Sequence, residues 1–287
     1  MFTLKKVLIT GANSYVGTNV EKWLMREPDK YYIETLDMKD PNWKNFDFSK
    51  FDVVFHVAGI AHIKERKSNK KLYYKVNRDL AIESATLAKK TGVKHFIFMS
   101  SMSVFGIEQG QIGESTVPNP KSIYGKSKYQ AENCIIKMMN LSFKVSIIRP
   151  PMIYGPNSSG NFIRLSNIAK KVSIYPNIKN KRSAIFIDNF SNFVKKIVDN
   201  SITGYLHPQN DEYINTTELI TTIRQINGLK TYNLRSLNWV IHILMIMFKS
   251  FKKLYGSLTY ERSLSQDYCI IDFKSSIKIS ENPEQVK

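Results

Sequence analysis

The sequence predicts an α/β chain built on a doubly wound parallel sheet, followed by a smaller C-terminal lobe. Over the first 150 residues, short apolar runs alternate with longer helical patterns. Strands separated by helices pair in parallel through right-handed crossovers. The first apolar run empties into a glycine-bearing turn that opens a helix. After Arg149-Pro150-Pro151 the pattern loosens into Asn-, Ser-, Gly- and Pro-rich loops at 155–161, 176–181 and 207–211. The expected domains are therefore 1–150 and 151–287, with no long linker, internal repeat or low-complexity tract.

The strand candidates are 6–10, 32–36, 53–57, 95–100 and 144–148, and the helical patterns cover 18–26, 73–90 and 126–140. The stretch between Asp37 and Val53 is short and holds no clear strand. Ligands of such sheets bind beyond the carboxyl ends of the strands, near the point where strand order reverses. Chemistry is therefore expected just after these strands.

The turn "ITGANSYVG" (9–17) joins the first strand to a helix, so its backbone N–H groups and the helix dipole aim at one point. That is a dinucleotide-binding arrangement, contributed by Gly11, Asn13, Ser14, Tyr15, Val16 and Gly17. Asp37 ends the second strand 20 residues beyond Gly17, where a carboxylate accepts from a ribose diol and repels a 2′-phosphate. NAD is favoured, and Lys39 nearby keeps NADP open. Serine stands at position 14, where a glycine would permit positive φ. Its hydroxyl is expected to cap the helix or bond a phosphate oxygen.

Composition narrows the classes. A chain of 287 residues, 43% hydrophobic and 12% aromatic, buries a substantial core. Its net charge of +18 favours acidic partners. The excess is mostly scattered lysine, as at 70–71, 89–90, 170–171 and 252–253, which is the pattern of a solvated surface, and no nucleic-acid partner is expected. Two cysteines, Cys134 and Cys269, give neither a disulfide framework nor a metal pair. His56 and His62 have no carboxylate or cysteine spaced around them and read as structural, so no metal site is expected. With no signal peptide, the expectation is cytoplasmic. The apolar run Trp239–Phe248 is too short to span a bilayer, which takes about 20 residues. With Lys249, Lys252 and Lys253 at its flank, weak membrane-surface association through 239–253 stays open.

Tyr124 and Lys128 stand four apart and share a helix face. An ammonium beside a phenol stabilises the phenolate and lowers a pKa that begins near ~10. Ser101 follows the "FIFMS" strand, where its hydroxyl meets an oxygen that gains or loses charge. An isolated tyrosine–lysine pair is ordinarily a surface feature; after a strand-end serine in this alternating pattern, it reads as an acid–base pair.

The segments "TGANSYVG" (10–17), "HVAGIAH" (56–62), "VN" (76–77), "SSMSVFG" (100–106), "YGKSK" (124–128), "RPPMIYGP" (149–156) and "RSAIFIDN" (182–189) occur in this order. Together they resemble the extended short-chain dehydrogenase/reductases of the NAD-dependent nucleotide-sugar epimerase/dehydratase group, which share the Rossmann fold. The resemblance runs to about residue 189. It implies an NAD(P)-dependent enzyme acting at C4 of a UDP-sugar in surface-polysaccharide precursor synthesis. Ser101, Tyr124 and Lys128 would be catalytic, with Lys128 also on the nicotinamide ribose. Ala58, Gly59 and Pro151 would line the cofactor, and Asn77 would hold backbone near the adenine side. Ser101, Asn161 and Arg182 would meet the substrate, Arg182 at the nucleotide diphosphate. A homodimer is common in the family and stays open here.

The resemblance also sorts the reactions. In 4,6-dehydratases an Asp-Glu pair follows the strand-end serine or threonine; Met102 and Ser103 cannot supply that acid and base. A 4-keto reductase and a UDP-hexose 4-epimerase remain, and the compact second lobe tilts the reading slightly toward the reductase. Some relatives lose the tyrosine and serve as cofactor-sensing or RNA-binding proteins; intact Tyr124 and Lys128 argue against that class.

Overall fold

The computed structural model describes residues 4–61, 63–265 and 268–282. Two compact units divide the chain. The first takes the chain as far as Gly106, then Val117–Pro150 and Phe190–Pro208; the second takes Ile107–Thr116, Pro151–Asn189 and the chain from Gln209 onward.

The first unit holds a six-stranded sheet: β1 (Lys5–Thr10), β2 (Tyr31–Leu36), β3 (Val53–His56), β4 (His95–Met99), β5 (Lys144–Ile148) and β6 (Gly204–Leu206). Its order is β6-β5-β4-β3-β1-β2, with every pair parallel. Strand order therefore reverses at β1, between β2 and β3. Inner strands of such a sheet are covered on both faces, so they read as continuous apolar runs. Val7, Leu8 and Ile9 are accordingly fully buried. Five of the six strands stand where the apolar runs place them. The sixth is only three residues long, too short to show an alternation.

The helices of this unit are α1 (Tyr15–Leu24), α2 (Lys70–Tyr74), α3 (Leu80–Lys90) and α4 (Ile123–Ile135). A π turn, Lys75–Asp79, joins α2 to α3. On one face of the sheet, Leu8, Val54, Phe96, Phe98, Val145 and Ile147 share a core with Ala81, Ala85 and Ala88 of α3 and Ala131 and Ile135 of α4. Alanines four and three apart give α3 a shallow face that lies close on the strands. Between β2 and β3 the chain forms two 3-10 turns, Trp43–Asn45 and Phe48–Lys50. They bury Trp43 and Phe48 beside Phe51 instead of adding a strand, so β2 is the sheet edge.

Helices α1 and α4 each begin three residues earlier than their apolar patterns suggest. Ser14 and Ser122 are the caps, their hydroxyls accepting from Gly17 N at 3.1 Å and Gly125 N at 2.9 Å. Capping satisfies N–H groups that the first helical turn leaves orphaned. The starts are fixed by hydrogen bonds, not by hydrophobic periodicity.

The second unit contains three short parallel pairs: Met152–Tyr154 with Ala184–Phe186, Gly110–Ile112 with Leu258–Tyr260, and Ile174–Pro176 with Tyr232–Leu234. Around them lie α5 (Asn161–Lys171), the first residues of α6 (Ile187–Asn200), α7 (Thr216–Ile226), α8 (Asn238–Met247), α9 (Lys249–Tyr255) and α10 (Phe273–Glu281). Ile178, Ile241 and Tyr255 form a local core with Leu244, Met245, Phe251 and Leu254, which seats α8 and α9.

Candidate active site

The turn after β1 is a close backbone approach. Gly11 has φ 112°, and a Cβ there would stand 2.8 Å from the Ala58 amide nitrogen. A Cβ on Gly17 would meet Ser14 Oγ at 2.6 Å and Val57 Cγ1 at 3.2 Å. Both glycines are required because the loop after β3 and the start of α1 press against this turn. The left-handed residue between them is Asn13, at φ 64°. Asparagine tolerates that region better than most side chains do. Ser14 is extended, at φ −75° and ψ 146°, and needs no glycine. The conformational demand expected at position 14 falls one residue earlier, and the serine hydroxyl caps the helix.

Tyr15 and Val16 open α1 half-buried, and Asp37 is exposed just past β2. One Asp37 oxygen accepts from Lys39 N at 2.9 Å. The backbone cradle with no Cβ at Gly11, the N-terminus of α1 and a carboxylate at the neighbouring strand end fit a pyrophosphate and a ribose diol.

Ser101 follows β4 and caps the 3-10 turn Met102–Phe105, its hydroxyl accepting from Ser103 N at 3.1 Å. Tyr124 stands half-buried in the first turn of α4, edge-on to Tyr73 with ring centroids 6.5 Å apart. Burial pushes its pKa up to about 12, a hydrogen bond with the Ser101 hydroxyl opposes the rise, and the Tyr73 phenol adds to it. Lys128, on the next turn, is 3% exposed. Burial lowers its pKa to about 7, against the attraction of Glu132.

The expected lowering of the Tyr124 pKa by Lys128 is not found. The Lys128 ammonium donates to Met99 O at 2.8 Å and lies 4.8 Å from the Phe98 ring centroid. Burial of the phenol dominates, and Ser101 supplies the opposing stabilisation.

Asn77 is fully buried in the π turn. Its amide clamps one backbone unit, Oδ1 accepting from Ile60 N at 2.9 Å and Nδ2 donating to Ile60 O at 3.0 Å. A Cβ on Gly59 would meet Asn77 Oδ1 at 3.0 Å and Lys128 Nζ at 3.1 Å. Asn77 thus holds the backbone at Ile60, close to Gly59 and Lys128. Ala58 is buried and Gly59 exposed on this same segment.

Two site-building residues escaped the sequence reading. Glu65 lies in the loop after β3, and its carboxylate accepts from Ile123 N at 2.9 Å and Tyr124 N at 3.0 Å. A carboxylate at a helix N-terminus is stabilised by the orphan donors and the dipole. Its sequence separation of nearly 60 residues hides it. Gly125 is the other: a Cβ there would stand 2.6 Å from Ser103 O. That contact presses the first turn of α4 against the turn that begins at Ser101. The glycine of "YGK" was the available signal.

His56 is buried between Phe96 and Phe98, with its Nδ1 2.8 Å from Thr10 Oγ1. Burial, with the nearby Lys128 charge, pushes its pKa down to about 3, which suits a neutral core imidazole. His62 lies outside the described residues.

In the second unit, Pro151 is buried and Asn161 is exposed at the start of α5, after Gly160 at φ 108°. Arg182 is half-buried between Ile214 and Leu258, its guanidinium donating to Gly256 O at 2.8 Å. Burial lowers its pKa below the ordinary arginine range.

Comparison with known proteins follows this layout. The model of the NAD dependent epimerase/dehydratase family matches residues 7–205. The UDP-glucose 4-epimerase of Vibrio cholerae is 29% identical over 280 residues, covering 88% of this chain and 83% of that one. The N-acetyl-alpha-D-glucosaminyl-diphospho-ditrans,octacis-undecaprenol 4-epimerase of Escherichia coli O157:H7 is 30% identical over 216 residues, 69% of this chain and 65% of that one. The crystal structure of UDP-glucuronic acid 4-epimerase from Bacillus cereus in complex with NAD superposes with TM-score 0.74 at 17% identity, over 96% of this chain and 95% of that chain. At that identity the likeness is one of fold. With the family model spanning both the phosphate turn and the Ser101–Tyr124–Lys128 group, the chain belongs to the NAD dependent epimerase/dehydratase family.

Proposed function

We propose that the protein is an NAD-dependent 4-epimerase of a nucleotide-linked hexose. The observation that carries this reading is the close packing of the first turn of α4, which holds Tyr124, against the turn capped by Ser101, where a Cβ on Gly125 would stand 2.6 Å from Ser103 O, with Lys128 buried one helical turn further on. Bound NAD supplies hydride acceptance and donation. The chain's residues supply the rest. Tyr124 exchanges a proton with the sugar C4 oxygen, Ser101 donates a hydrogen bond to that oxygen as its charge changes, and Lys128, anchored on Met99 O, would hold the nicotinamide ribose. After the keto sugar turns its other face to the cofactor, reversal of the same proton transfer would complete an epimerisation, so no further acid or base is required. Met102 and Ser103 leave the turn after Ser101 without the carboxyl pair a dehydration needs.

The sequence tilts slightly toward a 4-keto reductase, whereas the two relatives above, both 4-epimerases, support the epimerase reading. The reductase is the second reading, because it uses the same three side chains. Incubation with UDP-hexoses, and separately with a UDP-4-keto-6-deoxy-hexosamine and NADH, separates them. Isomer interconversion without net NADH change is the expected result; stoichiometric NADH loss with the keto sugar alone would establish the reductase instead. The exposed carboxylate of Asp37 supports NAD over NADP. Asp37→Ala should weaken NAD more than NADP, and an equal loss would remove Asp37 from ribose recognition. Arg182 and Asn161 are proposed for the nucleotide-sugar end, and a homodimer and a membrane-peripheral location are further parts of this proposal.

A further inference from the structure

Helix α8 presents a face that the described residues leave exposed. Trp239, Ile243, Ile246 and Met247 are 65%, 46%, 87% and 67% exposed, and Phe248, just beyond, is 48% exposed. Positions 239, 243, 246 and 247 fall on one side of a helix. Ile241, Leu244 and Met245, on the opposite side, pack with Tyr255 and Leu254. The outward face is therefore not a misplaced core face, since the helix already has one. Contiguous exposed apolar surface of this kind marks an interaction site.

The surrounding charge indicates what covers it. From Leu219 through Tyr260 the sequence contains no Asp or Glu, while it carries Arg224, Lys230, Arg235, Lys249, Lys252 and Lys253. Arg224 is buried on backbone carbonyls, but Lys230, Arg235 and Lys253 are exposed. No charged residue interrupts 236–248. An apolar strip with Trp and Phe, whose charged neighbours along the chain from 219 to 260 are all cations, matches the boundary between headgroups and acyl chains of an anionic bilayer. A second copy of the same patch would bring like charges together. Among the described residues no helix is long and apolar enough to cross a membrane, so the fit is to a surface.

We infer that α8 and α9 dock this protein onto an anionic lipid surface, with Trp239, Ile243, Ile246 and Met247 inserted among the acyl-chain ends and Lys252 and Lys253 against the headgroups. Docking does not depend on which C4 reaction the enzyme runs.

The test is co-sedimentation of the full chain with vesicles of phosphatidylcholine alone and of equal parts phosphatidylcholine and phosphatidylglycerol. Binding to the anionic vesicles only, weakened by added salt, is expected. Ile246→Glu should lower partitioning by about tenfold or more, and Lys253→Glu by about fivefold. Because Ile246 is 87% exposed, its substitution should leave the melting temperature unchanged; Met247→Gln provides an independent variant with a smaller expected loss. Trp239 emission should shift to shorter wavelength with anionic vesicles, read as the difference from Trp239→Phe. Absent or equal binding to both vesicle types would overturn the inference. So would light scattering that shows a lipid-free dimer dissociated by Ile246→Glu. Turnover of a soluble nucleotide sugar without vesicles reports separately on the catalytic reading.

Discussion

Tyr124, the proposed proton-exchanging group, stands in the first turn of α4. Removing the phenol oxygen alone, by Tyr124→Phe, should lower kcat by about 100- to 10,000-fold, the usual span for one acid–base group. NAD affinity should be retained, and wild-type turnover would end the proposed role. Glu65 acts through Tyr124, since it binds the tyrosine's own amide and the one before it. Glu65→Ala should cost about 0.5–2 kcal/mol of stability, as for other lost caps, and should lower kcat with little change in KM. Rescue by Glu65→Gln would show that the amide-binding geometry matters more than charge. An unchanged kcat in Glu65→Ala would reduce Glu65 to a structural cap. Tyr124, Lys128 and Ser101 could be proposed from the sequence because the four-residue spacing and the strand-end serine are local features. Glu65 was not, because a carboxylate in a polar loop looks like any solvated acid until the chain folds back on it.

At the scale of elements, α4 is fixed at both ends. Its N-terminus is held by Ser122 and Glu65. One turn past Lys128, Glu132 is fully buried and receives Arg149 Nη2 at 2.7 Å and Nε at 3.1 Å. Arg149 follows β5, and its guanidinium also lies 4.1 Å from the Tyr205 ring centroid and 5.1 Å from that of Phe105. Breaking a buried pair from one side leaves an uncompensated charge, at about 3–5 kcal/mol. Arg149→Ala should therefore destabilise strongly in urea unfolding, and the double variant with Glu132→Gln should recover part of the loss. Strictly additive effects would show that the two side chains do not act as a pair. Strand positions were readable because buried parallel strands are continuous apolar runs. Helix starts were displaced by three residues because hydroxyl caps, not apolar residues, set them.

For the whole molecule, burial of basic groups makes stability depend on pH. Lys128 is lowered to about 7 from 10.5, so between these values the unfolded chain binds the extra proton. Its charging therefore penalises the fold fully below pH 7, and stability rises with pH from about 7 to 10.5. Lys128→Met should flatten that rise in urea-unfolding curves. On the acid side, His56 and His95, lowered by burial to about 3 and 4 from 6.5, bind fewer protons folded than unfolded. Their contribution is complete above pH 6.5 and is lost as pH falls toward 4 and below. A flat profile from pH 7 to 10 in both wild type and Lys128→Met would show that Lys128 is not buried in solution. By itself, the sequence determined the alternating α/β order and the turn with Gly11 and Gly17, and it nominated Ser101, Tyr124 and Lys128 as the acid–base group to test, because period, spacing and side-chain chemistry are local. Tertiary structure alone decided the sixth strand, the left-handed role of Asn13, the capture of α4 by Glu65 and the direction of the Tyr124 shift. Each of these depends on which distant groups share a desolvated volume, and distance along the chain carries no record of that.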